Sequence, residues 1–165
     1  MGRTTALRAE LKRRLYPALL QQGFLPDLRS APTTITFRRT TATAVHVCDV
    51  QFEKYGSPRL VVNFGRCGPK GMICHGEHVA AADVCPGQTL RSGRLTPRPG
   101  GSTAAWFRQD RGLLARLIGR PDRPAREVVS ELLALLPEVE AFFADGAVGP
   151  HLRVWDAGPG VAEAA

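Results

Sequence analysis

Five residues in the middle of the chain have side chains that could hold a metal ion: Cys67, Cys74, His75, His78 and Cys85. Zinc takes four Cys or His donors in a tetrahedron, usually supplied as close-spaced pairs. The spacing here is C-x6-C-H-x2-H-x6-C, enough donors but no C-x2-C knuckle. Unliganded thiols and surface histidines are the simpler reading, and no metal is assigned. Thiol catalysis needs a cysteine beside an oriented base. Cys74 and His75 are neighbours in sequence, which does not turn their side chains together. His46 and Cys48, two apart, would share one face of a strand, but Cys48 lies between Val47 and Val50 and reads as buried and inert. Gly65-Arg66-Cys67-Gly68-Pro69-Lys70-Gly71 follows a strand, as phosphate loops do. The Walker pattern, however, needs Lys after the last Gly and then a helix, and here Lys70 precedes Gly71. H-E-x-x-H and G-x-S-x-G are absent, and no motif calls for a cofactor.

What remains is a set of polar side chains on strands: Arg38, Asp49, Gln51 and Asn63, joined by Arg94. Donors and acceptors at fixed spacing on rigid elements could form a recognition site. The alternative is a wet sheet face, or one covered by residues 66–101 with its hydrogen bonds satisfied.

The elements that would position them follow from periodicity. Leu7, Leu11, Leu15, Ala18 and Leu19 form one stripe of a helix over Thr5–Gln22, with Thr4 or Thr5 as cap and a left-handed Gly23 at its end. Pro17 predicts a kink near Leu15. Thr33–Arg39 alternates as a half-buried strand, Val45–Glu53 is a second strand and Arg59–Gly65 a third. Gly56-Ser57-Pro58 would close a hairpin with Tyr55 opposite Arg59, which sets Phe52 against Val62, Val50 against Phe64, and Gln51 beside Asn63 on the other face. Residues 66–101 carry seven of the seventeen glycines and four prolines and read as an irregular excursion, with Thr89–Leu95 a fourth strand. Ser102 or Thr103 would start a helix carrying Trp106, Phe107, Leu113, Leu114, Leu117 and Ile118, ended by Gly119. The clearest element is a helix with Val128, Val129, Leu132, Leu135, Leu136, Val139, Phe142 and Phe143 on one face, kinked or restarted at Pro137.

The net charge of +7 conceals a split: residues 1–125 hold 20 Lys/Arg against 8 Asp/Glu, and residues 126–165 hold 2 against 7. The basic part could attract nucleic acid or an acidic protein, or could be a solvated surface. Base-stacking aromatics are missing from the strands, since Phe37, Phe52 and Phe64 are all assigned to the core. No apolar run approaches a bilayer span, and charged residues interrupt the basic N-terminus where a secretory signal needs an apolar segment. Four cysteines without an export signal read as reduced thiols, so the expected location is the cytoplasm, with no membrane partner.

The order of landmarks resembles a bacterial domain-of-unknown-function family, DUF4304. These are a helix ending Gly23-Phe24, a strand with Phe37-Arg38-Arg39, a strand with Gln51, the run Val62-Asn63-Phe64-Gly65, Arg91/Arg94-Leu95, Trp106 and a closing apolar helix. The likeness covers residues 5–145, and Ala105-Trp106-Phe107 departs from it where an acidic residue and paired tryptophans are expected. It implies a compact α+β fold and carries no activity, cofactor or catalytic residues. The expected architecture is thus α+β, an antiparallel sheet of three to five strands packed against two or three helices. It forms a single domain over 1–156, and 157–165 is a flexible tail. The favoured function is a non-catalytic cytosolic binding module recognising another protein. The alternatives are nucleic-acid binding through residues 1–125 and an enzyme with an unrecognised polar site on the sheet face.

Overall fold

Apolar residues at three- and four-residue intervals bury a stripe of each of two helices against one face of a large sheet. The computed structural model describes residues 4–29, 31–111, 117–119 and 121–165. The N-terminal helix runs as an α segment Thr5–Glu10, a π-helical turn Leu11–Leu15 and an α segment Tyr16–Gln21. Pro17 has no N–H to donate and its ring crowds the preceding turn, and the helix widens just before it. The expected side-chain cap at its start is not formed. Its end is as expected. Gly23 has φ +84°, and the Phe24 and Gly23 amides donate to the Leu19 and Leu20 carbonyls, a Schellman closure with Phe24 folded into the core. The second helix, Ala125–Asp145, passes through Pro137 without a break. Leu7, Leu11, Leu15 and Leu19 of one helix and Val128, Leu132, Val139 and Phe142 of the other are buried on Phe37, Val50, Phe52, Leu60, Val62 and Phe64 of the sheet. Each such side chain contributes roughly 2 kcal/mol.

The sheet is larger than expected. Strands β1 (Leu25–Pro26), β2 (Thr34–Thr40), β3 (Val45–Phe52), β4 (Arg59–Cys67), β7 (Arg91–Leu95) and β9 (Leu152–Asp156) lie side by side in that order, with β8 (Phe107–Arg108) also paired to β4. A second sheet joins β10 (Val161–Glu163), β5 (Met72–Cys74) and β6 (Glu77–Val79). This corrects the expectation of three to five strands on two or three helices: seven strands form the main sheet and three the smaller one. The added strands are short, two to five residues each, too short for alternation to register. The expected tail 157–165 supplies β10, whose partner is β5. The helix start expected at Ser102 or Thr103 is also corrected, since residues 102–111 hold no helix, and residues 112–116 lie outside the described ones. Phe107 is a buried strand residue opposite Leu60, while Leu117 and Ile118 are exposed and Leu113 and Leu114 lie outside the described residues.

The small sheet and the segment after it pack on the outer face of β3 and β4, where Val45, Val47, Cys67, Met72 and Val84 form a second apolar cluster. Strand β3 is therefore covered on both sides, and every residue from Val45 to Val50 is buried.

The β3–β4 hairpin keeps the expected faces but not the expected pairs. Val50 stands opposite Val62, Phe52 opposite Leu60, and Asp49, not Gln51, opposite Asn63. The ladder has moved by two residues. Glu53 explains the longer loop: its buried carboxylate accepts the Tyr55 and Ser57 amides at 2.9 and 3.1 Å. A shift of two returns every side chain to its own face, so burial cannot distinguish the two registers.

Candidate functional site

The five predicted site residues share the sheet face opposite the helices. Along one row the ladder sets Thr36 beside Asp49, Asp49 beside Asn63, Asn63 beside Arg94, and Arg94 beside Arg153. Hydrogen bonds close most of this row on itself. Arg94 Nε donates to Asn63 Oδ1 at 2.8 Å, and Asn63 Nδ2 donates to Gln51 Oε1 at 3.2 Å. Thr36 Oγ1 donates to Asp49 Oδ1 at 2.8 Å. Arg38 stands apart, donating through Nε to the Ala82 carbonyl at 2.7 Å, with Nη2 at 3.7 Å from Asp27. Two segments lie over the face. Pro86 and Thr89 press on β4 at Gly65, where a Cβ would meet Thr89 Oγ1 at 2.4 Å. The chain at 100–103 is held by Arg94 to Thr103 and by Arg153 to Gly100 and Gly101. Burial pushes the Asp49 carboxyl above the usual carboxylate range, partly offset by Thr36 and Arg38. The arrangement is a half-buried polar layer that fastens covering loops to strands, with the buried Arg38 Nη1 left without a hydrogen-bond partner among the described residues.

The cysteine and histidine candidates are dispersed. Cys67 belongs to the second apolar cluster. Cys85 Sγ contacts Gln88 Oε1 at 3.1 Å, His78 Nε2 the Lys70 carbonyl at 2.8 Å, and Cys74 Sγ the Gln88 carbonyl at 3.8 Å. Among the described residues no group of three Cys, His, Asp or Glu is placed to hold a metal ion, and all four cysteines are free thiols. His46 and Cys48 do share the helix-facing side of β3. Burial pushes the Cys48 thiol far up. Burial and the neighbouring Arg39 and Arg66 hold His46 down to about 4, while its ring stacks on Phe143 at 4.4 Å and its Nδ1 faces Arg39 Nη2 at 3.0 Å. A neutral thiol and an occupied imidazole make no nucleophile–base pair. After Gly65–Gly71 comes strand β5 and not a helix, so no helix N-terminus faces that loop.

A different place gathers arginines around an indole. Strand β8 and the turn before it set Trp106, half-buried, at the end of the hairpin, between two grooves. One, of about 420 Å³, is walled by Arg59, Arg98, Arg108, Arg123 and Glu131. The other, of about 220 Å³, runs past Lys54, Glu53 and Gln51. The Arg59 guanidinium lies 5.2 Å from the Trp106 ring centre, in cation–π range. Its nearest carboxylate, Glu53, is 3.9 Å away, and its buried Nε has no hydrogen-bond partner among the described residues. Arg108 is paired with Asp110 at 3.1 Å and Arg123 with Glu131 at 2.8 Å. Arg98 is exposed and forms no ion pair with a described residue. Arginines around an indole can take carboxylate or phosphate groups, bidentately at the guanidinium. Tyr55 is 80% exposed on the adjoining loop, with Lys54 Nζ 4.6 Å from its ring centre.

Of the predicted residues only Gln51 borders these grooves. The rest do not stand out in the sequence, where Ser102 as a cap puts Trp106 in the first turn of a helix. A local signal was present: Pro97, Pro99, Gly100 and Gly101 precede Trp106 closely and favour a loop. No helix among the described residues is long and apolar enough to cross a membrane. No family model, curated protein or solved structure matches the chain.

Proposed function

We propose that the protein is a non-catalytic, cytosolic binding module that recognises an acidic segment of another protein in the grooves beside Trp106. The observation that carries this reading is the cluster of four arginines around a half-buried indole, with Arg98 in no ion pair with a described residue and Arg59 held only at 3.9 Å from its nearest carboxylate. Trp, Tyr and Arg are the residue types that dominate binding energy at protein interfaces. Excess charge on the same wall attracts and orients an acidic partner. The acidic side chains here are already engaged: Glu131 by Arg123 and Glu53 by backbone amides. That favours holding a ligand over moving a proton.

The test is titration of the full chain with a Glu/Asp-rich peptide, followed by indole fluorescence in a Trp155→Phe background so that Trp106 alone reports. Binding is expected to weaken as salt rises and to fall about tenfold in Arg59→Ala. No spectral response at low salt, or one indifferent to Arg59, overturns the reading. A second reading, single-stranded nucleic acid, is favoured by one observation: Trp106 and the exposed Tyr55 flank Lys54 and Arg59 as stacking surfaces beside cations. An oligonucleotide that binds more tightly than the peptide, with the steeper salt dependence of counterion release, selects it.

A further inference from the structure

The two edges of the main sheet differ. Edge β1 is two residues long and contains Pro26, which has no N–H to offer. Edge β9 has five residues and no proline. Its inner side is fixed by two bonds that bracket it, Thr96 N–H to the His151 carbonyl and Ala157 N–H to the Leu90 carbonyl. Antiparallel pairing alternates, so Arg153 and Trp155 turn their backbone groups to β7, while Leu152, Val154 and Asp156 turn theirs outward. The Leu152 amide is taken by the Gly149 carbonyl at 3.1 Å. The outward amides of Val154 and Asp156 have no partner among the described residues. Beside them lies a hollow of about 310 Å³ lined by Val148, Val154, Trp155 and Arg91 among others, with Val148 half-exposed and Trp155 40% exposed. An open edge of this kind is a template for another strand.

We propose that the edge of β9 pairs with β9 of a second copy of this chain, antiparallel about a two-fold axis through Val154. Only registers that match outward residues with outward residues are allowed, and of these the one centred on Val154 overlaps the whole strand. It bonds each Val154 amide to the other copy's Val154 carbonyl, and each Asp156 amide to the other copy's Leu152 carbonyl. Leu152 keeps its bond to Gly149. On one face Val154 meets its own symmetry mate, flanked by Val148 from each copy, which fills the hollow with apolar side chains. On the other face Arg153 stands opposite Trp155 in both directions, a cation–π pair. Arg153 is already held in place by the Gly100 and Gly101 carbonyls, which lowers the ordering cost of that contact. Shifting the register to centre on Arg153 would oppose two arginines, and centring on Trp155 would leave both Arg153 side chains unpartnered. The self-complementary arrangement is what identifies the occupant as a second copy.

Sedimentation velocity of the full chain over a concentration series reads this directly, with a reversible monomer–dimer equilibrium expected. Val154→Pro deletes an outward amide and leaves the amides that bond to β7, and should raise the dimer dissociation constant at least about tenfold. Trp155→Ala, which keeps the backbone intact, should raise it several-fold and serves if the proline variant does not fold. Hydrogen exchange at the Val154 and Asp156 amides should slow as concentration rises. A chain that stays monomeric throughout with both amides exchanging fast overturns the proposal, as does a dimer that neither substitution weakens.

Discussion

Two polar regions of this molecule are built from the same residue types and end in opposite states. In the row from Thr36 to Arg94 the sheet spaces donors and acceptors so that side chains bond to their neighbours, Arg94 to Asn63 and Asn63 to Gln51, and two segments of chain cover the result. Around Trp106, at the end of the same sheet, four guanidinium groups line an open groove; three have a carboxylate within 3.9 Å, and Arg98 has none among the described residues. A buried polar group is tolerated only when its bonds are made. An exposed cation can wait for a partner, because water solvates it at little cost. The difference teaches that polar residues gathered on a sheet face do not by themselves mark a binding site.

Substitutions can break that contrast, and the largest effect is expected where the cover meets the row. Gly65→Ala drives a Cβ to 2.4 Å from Thr89 Oγ1 and 3.1 Å from the Pro86 carbonyl. It should cost about 3 kcal/mol in chemical denaturation and raise proteolysis in 80–90. Next comes Asn63→Ala, which strands Arg94 Nε and Gln51 Oε1 in a half-buried layer. Roughly 2 kcal/mol should be lost, while fluorescence titration of the Trp106 groove should change little, since Asn63 lines neither groove and of its two partners only Gln51 borders one. If ligand affinity drops with stability, the two regions are not independent.

Asp49→Asn sharpens the contrast through pH. Burial holds the Asp49 carboxyl above its ordinary 3.8, so the folded chain binds a proton there more readily than the unfolded one. The ionised carboxylate therefore costs stability above the folded value, and that cost disappears as pH falls through it towards 3.8. Asn keeps an acceptor for Thr36 without the charge. The variant should equal or exceed the parent by about 1 kcal/mol at pH 7, and the gap should narrow in melts run at pH 4. A gap that widens on acidification would reverse the assigned cause. Arg98→Ala has the smallest expected effect on folding, within about 0.5 kcal/mol. The same change should weaken acidic-peptide binding about tenfold. Equal affinity in that titration would remove Arg98 from the site.

Much of the architecture was legible in local pattern. The leucines at four-residue intervals in the first helix, Gly23-Phe24 at its end, and the broad apolar face from Val128 to Phe143 lie where local pattern put them. Strands β2, β3 and β4 start within a residue of the expected positions. One signal in β3 went unread. Val45 and Val47 are apolar on one face and Cys48 and Val50 on the other, which marks a strand covered on both sides and foretells the second sheet over it. The five polar residues do share a face, as alternation required, but their covering loops and mutual bonds were not visible. Trp106 was misplaced because a run with Ser102 as cap and apolar residues beyond also fits a helix.

Residue order by itself determined which residues of the two long helices and of strands β2, β3 and β4 share a face, because side-chain direction repeats every 3.6 or 2 residues and depends only on neighbours in the chain. Tertiary structure alone decided the rest. A hairpin ladder moved by two residues preserves every face, so only Glu53, gripping the loop amides, fixed which residues stand opposite. Strands of two or three residues have no period of their own, and they exist here because a partner strand from elsewhere in the chain satisfies their hydrogen bonds. Whether a polar group is spent or available is likewise settled by what folds over it.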